Sequence, residues 1–237
     1  MLRLGILAST KGTDMQAVID AIISKKLNAV ISVVVSDKAE AYALERAKNH
    51  NIKAVFLDSR ENPRHRESKI LGLSETKSRQ FSGPRNSKKI SRAKGKDREQ
   101  YDKELSKILN ENNVDLILLI GYMRFLSQWF VTKYKNKIMN IHPSLLPKYA
   151  GRMDKDVHAE VLKNNEKVTG ATLHFVDEGA DTGPIILQKK VKIEKNETVE
   201  SLKEKVQKAE QEIIVKAIDL FEKGKIKVVG NKMLIEK

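Results

Sequence analysis

Hydrophobic residues near the start of the chain alternate between short continuous runs and sets with helical spacing. Leu2–Ala8 and Ala29–Val35 are nearly continuous apolar runs, which is typical of strands buried on both faces of a parallel sheet. Apolar residues in Met15–Ile23 recur at helical spacing, and a second helix is predicted around Ala39–Asn49. Lys53–Leu57 is predicted to be a third, short strand.

The same alternation resumes after a polar interval. The predicted elements are a helix from about Arg98 to Leu109, a strand at Val114–Ile120, a short helix at Ser127–Tyr134 and a strand at Ile138–Ile141. Strands that alternate with helices in this way favour one parallel sheet with right-handed crossovers. The sequence therefore predicts an α/β fold built on a doubly wound, mostly parallel sheet.

The C-terminal third shows a different pattern, because two β-rich segments follow each other across an acidic, glycine-bearing turn. Lys167–Val176 and Ile185–Val191 are expected to pair as antiparallel strands. The other elements predicted here are a helix at Val157–Leu162, a long amphipathic helix at Ser201–Glu222 with Thr198 as N-cap, and a hairpin over residues 228–235. The sheet is therefore expected to have an antiparallel C-terminal portion.

Composition narrows the class of protein. The 237 residues, 40% of them hydrophobic, suit a single domain spanning residues 1–237. The absence of cysteine excludes disulfide frameworks and thiolate chemistry. No segment approaches the roughly 20 apolar residues of a membrane span, so we expect a cytoplasmic protein with no membrane partner.

Most of the net charge of +14 is local. Residues 61–96 hold eleven Lys or Arg against three Glu and show no hydrophobic periodicity. We expect a basic, flexible insertion at about 61–96, with contact to nucleic acid or to a second subunit as the alternative. Because most of the excess charge lies in one segment, nucleic acid is not expected as a partner.

Two polar side chains stand together where a predicted strand ends. Asn140 and His142 are two residues apart, so in a strand they point to the same face, and Pro143 then interrupts regular pairing. Asp181 follows some forty residues later between two glycines. An amide, an imidazole and a carboxylate suit attack of an amine on a carbonyl-type carbon with proton transfer. Purely structural roles for these residues are the alternative.

Ser144 is a hydroxyl close to this amide and imidazole. A Ser–His hydrolase normally presents its serine on a glycine-flanked turn between a strand and a helix. The sequence around Ser144 lacks those glycines. We therefore favour direct transfer, without a covalent enzyme intermediate.

The turn after the first strand is a candidate phosphate site. Gly12 permits close backbone approach, Thr13 adds a hydroxyl and Lys11 adds a cation just before the first helix, whose N-terminus favours anions. With one glycine, the turn matches neither a P-loop nor a dinucleotide motif, so a monophosphate is the expected ligand. An ordinary turn in which Asp14 caps the helix is the alternative.

Five stretches carry a resemblance to a known family. They are Asp97–Asp102, Gly121–Leu126, Asn140–Tyr149, Gly170–Val176 and Asp177–Ile186. Together they resemble the folate-dependent formyltransferase family over about residues 2 to 222, apart from the 61–96 segment. The first turn departs from the family, whose turn is often richer in glycine and asparagine.

The resemblance implies a Rossmann-like formyltransferase fold and a one-carbon transfer in purine biosynthesis. The formyl group would pass from 10-formyltetrahydrofolate, the co-substrate, to the amine of 5'-phosphoribosylglycinamide (glycinamide ribonucleotide). Asn140 and His142 would polarise the formyl oxygen and handle the proton, with support from Asp181. The resemblance also assigns Arg98, Met123, Arg124, Phe125 and Leu126 to the folate, and Gly12, Thr13, Asp14, Gln207 and Glu210 to the ribonucleotide and its phosphate. It implies no metal, and we expect a monomer or a homodimer.

Two other functions remain open at this point. A formyltetrahydrofolate hydrolase would use water in place of the amine. An RNA-binding module could use the basic segment on an inactive formyltransferase scaffold, although the joint presence of Asn140, His142 and Asp181 disfavours an inactive site.

Overall fold

The computed structural model describes residues 1–58, 95–152, 154–230 and 232–236. The predicted basic insertion therefore lies outside the described residues, apart from its last two positions. Those two positions belong to a helix that begins at Gly95, three residues before the predicted start.

The N-terminal part forms the predicted parallel sheet. Its strands are β1 (Leu2–Leu7), β2 (Ala29–Ser36), β3 (Ala54–Phe56), β4 (Leu116–Leu119) and β5 (Ile138–His142), connected through α1 (Thr13–Ile23), α2 (Tyr42–Asn49), α3 (Gly95–Glu111) and α4 (Gln128–Lys133). The strands lie in the order β3-β2-β1-β4-β5, and neighbouring strands are parallel. After β3, at one edge of the sheet, the chain thus continues to β4 on the other side of β1. The carboxyl ends of β1 and β4 border this switch point, where α/β proteins place their ligands.

The C-terminal part extends the sheet by antiparallel pairing. Its elements are α5 (Asp154–Lys163), β6 (Val168–Phe175), β7 (Ile185–Lys192), α6 (Val199–Glu222), β8 (Ile226–Val229) and β9 (Lys232–Ile235). Strand β6 pairs antiparallel with both β5 and β7, which gives a seven-stranded sheet within the described residues, and β8 and β9 form a separate hairpin. Thr198 caps α6 in a capping box with Ser201. The predicted fold class is confirmed.

Helices cover both faces of the sheet, and strands β1 to β5 each supply both core layers because their side chains alternate. From β1, Leu4 and Ile6 pack in the layer covered by α1, α2, α5 and α6, whereas Leu7 packs in the layer covered by α3 and α4. Burial of each such side chain is worth about 1.5–3 kcal/mol. The core thereby fixes the ends of β1, β4 and β5. None of the helices in the described ranges is long and apolar enough to cross a membrane.

Candidate functional site

Strand β5 carries the predicted amide and imidazole to the edge of the sheet. Asn140 is half-buried, and His142, the last residue of β5, is 3% exposed. Their partners across the antiparallel ladder are His174 and Thr172 on β6. The structure therefore places three polar side chains and a hydroxyl around the end of one strand pair.

The carboxylate of Asp181 lies between two imidazole rings. Its Oδ2 is 3.2 Å from His142 Nδ1, and its Oδ1 is 3.4 Å from His174 Nε2. Asn140 Nδ2 donates to Oδ1 at 3.2 Å, and the backbone N–H of Gly151 donates to Oδ2 at 2.8 Å. The residues singled out in the sequence thus meet around a single carboxylate.

These contacts keep Asp181 ionised. Burial alone would raise the pKa of Asp181, but hydrogen bonds with His142 and His174 and with the Gly151 N–H hold that pKa well below its usual range. A negative charge therefore sits beside both rings at neutral pH. It fixes the His142 ring so that Nδ1 faces the carboxylate.

The other ring nitrogen of His142, Nε2, is the candidate contact for a substrate. His142 Nε2 is buried and has no hydrogen-bond partner among the described residues. A buried polar atom left in this state costs about 1–3 kcal/mol. Such an atom in a native structure calls for an explanation, and a bound reactant that completes its hydrogen bonds provides one.

His174 belongs to this cluster, which the sequence did not reveal. Its pattern predicted a satisfied core residue, and it is indeed 2% exposed. Its Nδ1 lies 2.8 Å from the carbonyl oxygen of Phe175, so that nitrogen carries the hydrogen, and Asn140 Nδ2 lies 3.2 Å from Nε2. The register that places His174 opposite Asn140 comes from β5–β6 pairing, which the sequence pattern did not predict.

The segment after His142 is held firmly by Thr172. The Thr172 hydroxyl donates to Ser144 O at 2.6 Å and accepts from Leu146 N at 3.0 Å, and Gln188 Nε2 donates to it at 2.9 Å. Ser144 itself is fully buried and donates its hydroxyl to Lys148 O at 2.9 Å. The Ser144 hydroxyl therefore stabilises the backbone of this segment and is not directed at His142.

The loop that carries Asp181 folds tightly back on β6. Asp181 has a φ of 57°, a left-handed conformation that Asp and Asn tolerate better than most residues. A Cβ added to Gly183 would lie 1.9 Å from the carbonyl oxygen of Phe175. Only glycine fits there, so the close approach of this loop to β6 depends on Gly183.

Gly183→Ala is expected to destabilise the protein by about 2–3 kcal/mol, since a backbone atom must move to admit the new methyl group. Thermal unfolding should begin several degrees lower, and kcat should fall because Asp181 is displaced. Gly224→Ala is the matched control. Gly224 has a φ of 67°, and a Cβ added there would have no atom of the described residues within 4 Å, so backbone strain should cost that variant some stability while its kcat is kept. Equal kcat values for the two variants would contradict this role of Gly183.

The first turn differs from the capped turn offered as the alternative. Gly12, with φ 61°, occupies the N-cap position of α1, and no side chain within the described ranges makes the cap hydrogen bond. Asp14 lies inside the first helical turn and is buried, whereas Thr13 is half-buried. The alternative in which Asp14 is the N-cap is therefore wrong, because this left-handed position requires glycine. A helix N-terminus without a side-chain cap remains suited to an anion.

A hydrogen-bond chain connects this turn to the end of β4. Ser9 N donates to Gly121 O at 3.1 Å, and Met123 N donates to Ser9 Oγ at 2.9 Å. Ser9 Oγ in turn donates to the buried Asp37 at 2.6 Å. The candidate phosphate turn and the segment after β4 are thus fixed relative to each other across the switch point.

The segment Met123–Leu126 presents an apolar surface with a cation in its middle. Met123 is 48% exposed and Phe125 is 67% exposed, whereas Leu126 packs against the core layer beneath. The Arg124 guanidinium lies over the ring of Tyr101, 4.2 Å from its centre. Exposed large apolar side chains of this kind suit a flat ring system.

The remaining assigned residues lie on α3 and α6. Arg98 is exposed near the start of α3. Gln207 is half-buried and Glu210 is 9% exposed on α6, a helix that packs against α1 and β6. Their assignment to the two substrates stays a prediction. Across the described part of the chain, no cluster of three or more His, Cys, Asp or Glu side chains could hold a metal ion.

Comparison with known proteins gives one family. The family model described as "Formyl transferase" matches residues 2–218. The chain is 32% identical to phosphoribosylglycinamide formyltransferase of Escherichia coli, over 95% of this chain and 90% of that protein. It is 35% identical to the trifunctional purine biosynthetic protein adenosine-3 of Chironomus tentans, but spans only 14% of that relative's length. The crystal structure of glycinamide ribonucleotide transformylase 1 from Symbiobacterium toebii superposes with a TM-score of 0.80 at 33% identity, covering 100% of this chain and 95% of that one.

Proposed function

Because the chain belongs to the formyl transferase family, we propose that it is a phosphoribosylglycinamide formyltransferase acting in purine biosynthesis. It transfers the formyl group of 10-formyltetrahydrofolate to the amine of glycinamide ribonucleotide. The observation that carries this proposal is the arrangement of Asn140, His142 and His174 around the ionised Asp181, with His142 Nε2 left to meet a reactant.

The proposed reaction needs one nucleophilic attack and one proton transfer. The substrate amine forms a bond to the formyl carbon, and the bond from that carbon to the folate nitrogen breaks. One proton leaves the amine, and one is gained by the folate nitrogen. No group of the protein becomes covalently attached, in agreement with the Ser144 hydroxyl being engaged by Lys148 O.

Each residue at the end of β5 has a distinct proposed part in this reaction. His142 uses Nε2 to donate a hydrogen bond to the formyl oxygen, where negative charge develops, and to move the proton. Asn140 keeps one amide N–H on Asp181 Oδ1, which sets its orientation, and turns the N–H that faces His174 Nε2 to the same formyl oxygen. Asp181 keeps the His142 ring in one orientation and compensates positive charge on it. Preorganised groups of this kind lower the barrier because they need not reorient during the reaction.

The two substrates approach from opposite sides of the switch point. We place the ribonucleotide phosphate at the N-terminus of α1, against Gly12 and Thr13, where the helix dipole favours an anion. We place the folate ring on the wall formed by Met123–Leu126. Ser9 begins the phosphate turn, and its hydrogen bonds with Gly121 and Met123 hold that turn against the wall segment. The fixed distance between the two subsites brings the amine and the formyl group together at the end of β5.

An amine-dependence assay tests the proposed function directly. The protein is incubated with 10-formyltetrahydrofolate, with and without glycinamide ribonucleotide, and tetrahydrofolate formation is followed. We expect rapid formation only when the ribonucleotide is present, with one formylated ribonucleotide for each tetrahydrofolate. Equal rates without the amine would identify a hydrolase instead, and no turnover in either mixture would remove the proposal.

A further inference from the structure

A buried carboxylate on α3 holds the segment that leads out of the proposed folate wall. Asp102 is 1% exposed, and its Oδ2 accepts the backbone N–H of Ser127 at 2.6 Å. Ser127 in turn caps α4, because its hydroxyl accepts from Phe130 N at 3.3 Å. One side chain of α3 thus fixes the junction at which the wall segment ends and α4 begins.

The same carboxylate lies within electrostatic reach of two arginines assigned to the folate. Both Arg124, in the wall, and Arg98, one turn before Asp102 on α3, act on its charge. Arg124 is also held over the ring of Tyr101, the residue preceding Asp102. Tyr101 of α3 therefore contacts the wall arginine through its ring, and the neighbouring Asp102 places a carboxylate within electrostatic reach of it.

The buried position of Asp102 disfavours the ionised form of its carboxyl group. Burial raises the pKa of the Asp102 carboxyl, although Ser127, Arg124 and Arg98 act in the opposite direction. An acid whose pKa is raised in the folded state disfavours folding once it ionises, above its unfolded pKa of about 3.9. The free energy of folding therefore does not explain why a carboxylate stands here, because a neutral residue of the same shape would make the folded state at least as stable.

We propose that Asp102 is a positioning residue for the folate co-substrate, holding the Met123–Leu126 wall through Ser127 and orienting Arg124 and Arg98 by its charge. This role rests on the proposed function and deepens it, because it assigns a part in folate binding to a residue that does not itself contact the folate. With both arginines held in place, the carboxylates at the glutamate end of a folate meet two preorganised cations.

Asp102→Asn is the deciding variant, since asparagine keeps the shape and an oxygen that can accept the Ser127 N–H but removes the charge. We expect the KM for 10-formyltetrahydrofolate to rise about tenfold, the usual difference between charge-assisted and neutral hydrogen bonds. The KM for glycinamide ribonucleotide should change by less than about twofold, and the thermal midpoint should stay level or rise. Asp102→Ala should raise the folate KM further, because the acceptor is also lost.

Ser106→Ala is the matched control. Ser106 is equally buried on α3 and bonds Tyr134 and Lys133 of the α4 region, away from the wall, so its loss should lower stability and leave both KM values unchanged. Titration of tetrahydrofolate into wild-type and Asp102→Asn protein gives the same comparison without turnover. If wild-type protein fails to turn over, the proposed function falls, while the titration still tests the binding role. Equal folate KM and affinity in the two proteins, or equal rises in both KM values, would overturn the role of Asp102.

Discussion

Replacing His142 by alanine is expected to lower kcat by about 10³-fold, the usual size of a lost proton-transfer and oxyanion contact. The KM values should change little, because the phosphate turn and the folate wall are built from other segments. The physical reason lies in the two ring nitrogens: Nδ1 contacts Asp181, and Nε2 is buried with no hydrogen-bond partner in the part of the chain that the structure describes. Steady-state kinetics with both substrates varied will separate kcat from KM.

His142→Asn distinguishes chemistry at Nε2 from support of the fold. An asparagine amide can still donate to Asp181 from about the position of Nδ1, but it has no counterpart of Nε2. This variant should therefore lose nearly as much kcat as the alanine variant while keeping more of its stability. His50→Ala, at the C-cap of α2, is the control and should keep its kcat. Near-normal kcat in His142→Asn would show that Nε2 takes no part in the reaction.

Asp181→Asn is expected to lower kcat by about 10²–10³-fold, through loss of the charge that orients and compensates His142. Asparagine is the informative substitute, because it tolerates the left-handed φ of 57° at this position. Alanine would add backbone strain to the loss of charge. Asp177→Asn in the same loop is the control. Asp177 accepts from Gly179 N and Thr182 Oγ1 through one oxygen, which asparagine retains, so that variant should lose only the charge and keep most of its kcat.

The pH dependence of stability gives a second measurement on Asp181. Its pKa is lowered in the folded state, so its stabilising contribution is fully present above the unfolded pKa of about 3.9 and is lost as pH falls toward the folded value. Wild-type protein should therefore be more stable than Asp181→Asn at neutral pH, and the gap should narrow below about pH 4. Denaturant unfolding at several pH values measures this gap. A gap that stays constant from pH 7 to pH 3 would show that Asp181 gains no stabilisation from its two imidazole partners.

Several elements were predictable because the information is local. A nearly continuous apolar run such as Leu2–Ala8 is typical of a strand buried on both faces of a sheet, and the structure places it between β2 and β4. Thr198 was recognised as an N-cap because a hydroxyl there serves the free N–H groups of the next turn. Asn140 and His142 were placed together by the two-residue period of a strand. All three predictions depend on spacings of a few residues, which the sequence displays directly.

Other features depend on which distant segments of the chain become neighbours in the fold. The spacing of residues within a short stretch does not predict those contacts. His174 looked like an ordinary core histidine until the antiparallel register of β5 and β6 set it opposite Asn140. Asp102 received no role from the sequence beyond its place in one of the family-like stretches. Its burial follows from the way α3 packs against the segment before α4. The first turn was predicted with Asp14 as one possible cap, but its left-handed conformation placed Gly12 at that position.

The sequence by itself determined the fold class, the strand end that carries Asn140 and His142, and the resemblance to the formyltransferase family. Each of these follows from periodicity or from the order of residues in one stretch. Only the tertiary structure decided that Asp181 bridges two imidazole rings, that His142 Nε2 has no hydrogen-bond partner among the described residues, and that Asp102 accepts the Ser127 N–H. The physical reason is that hydrogen bonds and electrostatic shifts act over a few ångströms, and the groups concerned lie far apart along the chain.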